Sequence, residues 1–205
     1  MKKNKLLILA FALVGASSAN AASVTITDPG GGGRTATLDS AVEATKDFLQ
    51  SGNATAAILS GIDFAGQDVW TERGEEVASG NVGIFDVELT SGAWGSTQAA
   101  GTWEITDPNF WSNYGFGAIS MHVGGGNPSN PLNSPDSFIW EITNGELTGT
   151  WSYNGTGGAN GGGLSNLKLY SSGTGTPNPG VPDAGSTLAL MGIALAGLGA
   201  FKRRK

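Results

Sequence analysis

Residues 137–153 read SFIWEITNGELTGTWSY, two alternating stretches either side of Asn144-Gly145. An Asn-Gly pair tolerates positive φ at both positions and is a strong signal for a two-residue hairpin turn. Pairing outward sets Thr143 opposite Glu146, Ile142 opposite Leu147, Trp140 opposite Gly149 and Phe138 opposite Trp151. One face then carries Phe138, Trp140, Ile142, Leu147 and Trp151. The other carries Glu141, Thr143, Glu146, Thr148 and Thr150, with Ile139 the apolar exception. A sheet with one dry and one wet face is half of a β-sandwich.

The same alternation recurs along the chain. Phe85, Val87 and Leu89 alternate with Asp86 and Glu88 in Val82–Thr90, and Trp103 and Ile105 flank Glu104 in Gly101–Thr106. Ile119, Met121 and Val123 share a face in Phe116–Val123, while Ser23–Thr27 and Leu164–Tyr170 read as first and last strands. WEIT occurs at 103–106 and again at 140–143, which fits two similar strands of one sandwich. With 34 glycines and frequent turn signals, the pattern predicts an all-β, antiparallel, jelly-roll-like β-sandwich. Residues 149–170 are expected to close it as a hairpin, with Trp151, Leu167 and Leu169 in the core. One short helix is expected at Asp39–Gln50, where Ser40 and Glu43 have capping-box spacing and Gly52 follows the end. Gly30–Arg34 is a loop before it; it lacks the Gly-Lys-Ser/Thr ending of a phosphate loop.

Both ends differ from this body. Met1–Lys5 carries three lysines, Leu6–Ala16 is a short apolar run, and Ala19-Asn20-Ala21 supplies small residues. That is a secretory signal peptide over residues 1–21, cut by signal peptidase before Ala22. At the other end Ala184–Phe201 is free of charge and, as a helix, about 27 Å long, close to the thickness of a bilayer core. Lys202, Arg203, Arg204 and Lys205 follow, so this end of a transmembrane helix stays cytoplasmic. The exported domain is expected over residues 22–170, with a Gly/Ser/Pro linker over 171–180. Seven of the 11 Lys+Arg lie in the two end segments, which leaves Arg34, Lys46, Arg73 and Lys168 against 17 Asp+Glu, a formal charge of −13. Such a surface repels nucleic acid and polyphosphates but admits cations and neutral sugars. Cysteine is absent, so stability rests on the core alone.

Val181-Pro182-Asp183-Ala184-Gly185-Ser186-Thr187, followed by the apolar span and basic tail, resembles the PEP-CTERM class of bacterial sorting signals, in its VPDSG-type branch. Val-Pro-Asp stands here where Pro-Glu-Pro is usual, and Ala184 where that branch often has Ser. The resemblance implies an exosortase, a membrane-embedded cysteine peptidase, as partner. It implies an inner-membrane-anchored precursor that is cut near the motif and passed to the cell surface or extracellular matrix of a Gram-negative bacterium. It also implies an association with exopolysaccharide or biofilm. The stretch GTWSYNG…GGGLSNLKLY is similar to a C-terminal segment common in such ectodomains. Pro182 favours an extended backbone at Val181, which suits presentation to a peptidase.

Catalytic chemistry finds few residues to use. His122 is the lone histidine and there is no cysteine, so neither a zinc site nor a Ser–His nucleophile is framed, and no cofactor is expected. His122 reads as a surface imidazole. Glu72, Glu75 and Glu76 read as a solvated turn. Asp63 and Asp68 around Gly66 read as a polar loop without full calcium-loop spacing. The expectation is a non-enzymatic surface or matrix protein. The alternative is a carbohydrate-binding module using Trp94, Trp111 and Tyr114 as stacking rings, against a cluster that merely closes one end of the sandwich. A third reading is an extracellular hydrolase built on a carboxylate pair.

Overall fold

The structure, a computed structural model, describes residues 22–27, 33–42, 48–50, 52–124, 136–155 and 162–175. The signal peptide, the sorting motif, the apolar span and the basic tail expected from the sequence lie outside these residues. Among the described residues no helix is long and apolar enough to cross a membrane.

The described chain forms β1 (Val24–Thr27), β2 (Thr35–Leu38), β3 (Ala41–Val42), β4 (Phe48–Gln50), α1 (Ala56–Gly61), β5 (Trp70–Val77), β6 (Gly80–Gly83), β7 (Phe85–Ser91), β8 (Gln98–Ile105), α2 (Phe110–Asn113), β9 (Phe116–His122), β10 (Ser137–Ile142), β11 (Thr148–Asn154) and β12 (Asn166–Ser172). Two antiparallel sheets result. One has five strands in the order β1-β2-β11-β8-β7. The other has seven, in the order β3-β10-β9-β12-β5-β6, with β4 also on β10.

The sheets enclose one core. Leu38, Phe85, Trp103 and Trp151 enter it from the five-stranded sheet, and Ile119, Met121, Phe138, Trp140, Ile142, Leu167 and Leu169 from the other. Each such side chain contributes roughly 1.5–3 kcal/mol relative to exposure. The Trp140 indole donates across the core to the Val24 carbonyl at 3.1 Å. The inward face read from the alternation of residues 138–151 is therefore the buried one.

Their pairing is not the one expected. β10 and β11 do not form a hairpin: they belong to opposite sheets, and the Asn-Gly turn is an arch between them. Glu146 N–H closes the turn on Thr143 O at 3.1 Å, but only Gly145 takes positive φ, at 97°. The two-residue hairpin turns that match strand twist need positive φ at the first central residue, here Asn144. With Asn144 outside that region the strands part, and each finds another neighbour. β10 pairs with β9, and β11 with β2 and β8. Residues 149–170 behave alike, because β11 and β12 also lie in different sheets. Val82–Thr90 divides too, into β6 and β7 on opposite sheets.

The helix expected at Asp39–Gln50 is a second correction. Asp39-Ser40 is a turn, Ala41–Val42 pairs with Ile142 and Glu141, and Phe48–Gln50 pairs with residues 137–139. Ser40 has φ 63°, outside the extended geometry of a helix cap, and its hydroxyl donates to Thr148 O at 3.3 Å. The backbone groups along the edge of β10 take Ala41–Val42 and Phe48–Gln50 as strand, and residues 43–47 lie outside the described residues. A short helix instead forms one segment later. Thr55 Oγ1 caps it by accepting from Ile58 N–H at 3.2 Å. With a 3₁₀ turn at Phe64–Gly66, α1 covers the outer side of the seven-stranded sheet. Leu59, Phe64 and Trp70 bury Ala118, Ile139 and Tyr170 there, which accounts for Ile139 on an otherwise polar face.

Candidate functional site

The strand directions give the domain two poles. At one, Ala22 accepts from Ala41 N–H at 3.2 Å, Gly115 N–H donates to Ser172 O at 3.1 Å, and Gly175 N–H donates to Asn113 O at 3.1 Å. The arch at residues 143–146 and α2 lie at this pole, joined where Asn144 Nδ2 donates to Gly115 O at 3.2 Å. At the other pole Gly95 N–H donates to Leu164 O at 2.7 Å, Gly155 N–H to Thr97 O at 2.6 Å, and Arg34 to Gly124 O at 3.3 Å. The eight residues of β8 separate the poles by roughly 25 Å.

The C-terminal segment leaves from the first pole, later than expected. Ser171 and Ser172 are the buried end of β12 rather than linker. Arg73 Nε donates to Ser171 Oγ at 2.7 Å, and Ser172 Oγ donates to the Val69 carbonyl. These contacts fix the strand up to Ser172, and the bond to Asn113 carries the order on to Gly175.

The three candidate stacking rings do not come together. Trp94 lies in the loop before β8, at the far pole, whereas Trp111 and Tyr114 lie after β8, at the near one. Trp111 is buried, at 6% exposure, and its Nε1 donates to Glu146 O at 2.7 Å. Phe110 meets Trp111 and Tyr114 edge-on, with centroids 5.0 and 5.2 Å away. The Arg73 guanidinium sits 4.2 Å from the Tyr114 ring centre, and both Tyr114 and Trp94 are half-buried against the core. A ring cluster that closes one end of the sandwich is what the structure places at residues 110–114.

The remaining candidates are strand residues. Glu72, Glu75 and Glu76 lie on β5, not in a turn. Lys168 pairs with Glu72 at 3.1 Å and Glu75 at 3.5 Å. Glu76 is buried beside Leu167, its register partner. Burial and then the Asp86 charge push its carboxyl above the ordinary carboxylate range. His122 is half-buried rather than a surface imidazole, with Nε2 3.6 Å from Asp136 Oδ2. Asp63 and Asp68 are exposed beside the 3₁₀ turn. Among the described residues no group of three or more His, Cys, Asp or Glu is placed to hold a metal ion.

Sequence reasoning missed the outer face of the five-stranded sheet. Thr25, Thr37, Thr102, Thr150 and Ser152 point outward there because their neighbours Ile26, Leu38, Trp103 and Trp151 point in. The small residues Ala100 and Gly101 leave two adjoining hollows, of 330 and 400 Å³, that share Ala100 and Ser152. Thr37, Asp39, Thr90, Thr102 and Thr150 line one, and Gln98 and Asn154 the other. Thr150 donates to Asp39, whereas among the described residues no hydrogen bond engages the side chains of Thr102, Ser152 or Gln98. The signal was present as the threonines of VTIT, TATL and TGT, but it needed the register to assemble it.

Residues 180–205 match the VPDSG-CTERM motif, a PEP-CTERM-type sorting signal. Such a signal marks an exported protein that is sorted by an exosortase and held transiently in the membrane before processing. No similar curated protein and no similar solved structure was found.

Proposed function

We propose that this chain is a non-enzymatic surface or extracellular-matrix protein, released from its membrane tether by an exosortase and associated with exopolysaccharide. The observation that carries this reading is the C-terminal signal, with its motif at Val181–Thr187, apolar span and basic tail. The test is the intact mass of the exported protein, with cell fractionation. A product ending within Val181–Gly185, found at the surface or in the matrix, supports the reading. A product that keeps Lys202–Lys205 in the membrane makes the segment a plain anchor and overturns it.

A second reading is favoured by the hollows on the five-stranded sheet, where hydroxyls and amides lie beside a single carboxylate, Asp39, and no cation. A neutral polysaccharide suits that chemistry better than an anionic polymer, which the formal charge of −13 between the two basic end segments repels. This moves the carbohydrate-binding reading from the aromatic rings to Thr102, Ser152 and Gln98. Affinity electrophoresis in gels containing the matrix polysaccharide tests it. Retardation that is lost in Thr102→Val/Ser152→Ala and kept in Tyr114→Ala supports the sheet face, and the reverse pattern restores the rings.

A further inference from the structure

The polarity of the domain says which of its surfaces meets the processing machinery. We propose that the pole formed by α2, the 143–146 arch and Val69 docks against the membrane peptidase that reads Val181–Thr187. This inference rests on the exosortase reading above.

Reach is the first reason. Gly175, the last described residue, is held at this pole by the bond from its N–H to Asn113 O. From Gly175 to Val181 there are six Cα steps, which span at most about 20 Å when fully extended. A peptidase that closes around residues 181–187 therefore works within that distance of Asn113. The opposite pole lies roughly 25 Å from this one, so the pole at Asn113 is the end of the domain nearest the motif.

The second reason is the character of the near pole. The exposed large hydrophobics among the described residues are Val42, Val69 and Val82. Val69 is 64% exposed, and its carbonyl holds the hydroxyl of Ser172, three residues before Gly175. Val69 is an exposed apolar side chain at the pole where the described chain ends, and Asp68, Asn109, Ser112, Asn113 and Asn144 of the same pole are exposed polar residues, a mixture that suits a small protein contact. A face meant to lie on anionic headgroups would carry lysine and arginine. Here Arg73 is already engaged by Ser171 and Tyr114.

Three changes in the full-length precursor, co-expressed with a tagged exosortase, test the proposal. Deleting residues 176–180 is expected to slow cleavage at least tenfold, and a five-residue Gly/Ser replacement is expected to restore it. Val69→Asp is expected to slow cleavage several-fold with an unchanged melting temperature, since the side chain is exposed. The chain has no cysteine, so a thiol crosslinker can be placed singly. Ser112→Cys should give an adduct with the tagged exosortase, and Gln98→Cys, at the far pole, should give none. Cleavage indifferent to the deletion and to Val69→Asp, with adducts equal from both poles, overturns the docking face and leaves sorting intact. Absence of cleavage in the unaltered chain overturns the exosortase reading itself.

Discussion

Trp103 stands directly across from Gly149 on neighbouring strands, and its indole fills the space a side chain at 149 would need. A Cβ at 149 would lie 2.6 Å from Trp103 Nε1. Trp151 stands across from Gly101 in the same way, with its indole 2.9 Å from a Cβ built there. The two Trp–Gly pairs lie between β8 and β11 and let two large rings share one narrow core layer. Gly149→Ala is therefore expected to cost about 1–3 kcal/mol, as over-packing does. Urea denaturation would measure it. The loss should shrink in a Trp103→Leu background and persist in Trp140→Leu, the ring that a hairpin would have set opposite Gly149.

That contrast shows what the sequence held. The inward residues of 138–151 are legible because alternation in a strand is fixed by backbone geometry, whatever the strand pairs with. The partner is not legible, because Asn144-Gly145 serves an arch as well as a hairpin and the choice depends on φ at Asn144. The same limit hid the site. Thr37, Thr102, Thr150 and Ser152 are unremarkable on their own strands, and they become neighbours only through the register of β2, β11 and β8. The sorting motif was fully legible because its parts are contiguous in the chain. The capping-box spacing of Ser40 and Glu43 misled, since a local signal worth about 1 kcal/mol lost to backbone pairing along β10.

Ser40 gives a second prediction. Its carbonyl accepts Thr143 N–H at 2.8 Å, tying the β2–β3 crossing to the β10–β11 arch, and it holds φ 63° to do so. A β-branched side chain is strained in that region. Ser40→Val should destabilise by about 1–3 kcal/mol. Ser40→Gly should be near neutral, because backbone relief offsets the lost hydroxyl bond to Thr148. Equal losses for both in chemical denaturation would place the effect in the hydroxyl instead.

The outer layer should open before the core. Tyr170 OH donates to Ala54 O at 2.8 Å, just ahead of α1, and burial first of all keeps the phenol well above its usual pKa and so neutral. Tyr170→Phe leaves the Ala54 carbonyl without that donor, at a cost of about 1–3 kcal/mol. Amide hydrogen exchange should then quicken in α1 while β8 and β9 keep their protection. Uniform acceleration across both sheets would mean that the layer and the core unfold as one unit.

Glu76 makes stability depend on pH in an unusual direction. Its carboxyl is buried, Oε2 has no hydrogen-bond partner among the described residues, and burial followed by the Asp86 charge raises its pKa above the reference 4.5. Below 4.5 both folded and unfolded chains carry the proton, so the group is neutral toward folding. As pH rises past that value the unfolded chain loses its proton first, binds fewer protons than the folded one, and gains free energy from ionisation. Glu76 therefore withdraws stability between the unfolded and the raised folded pKa, and the deficit stays at neutral pH. Glu76→Gln removes the ionisation. The variant should melt close to the parent near pH 4 and above it at pH 7. A difference between the two that does not change with pH would show that the carboxylate is solvated in the folded protein.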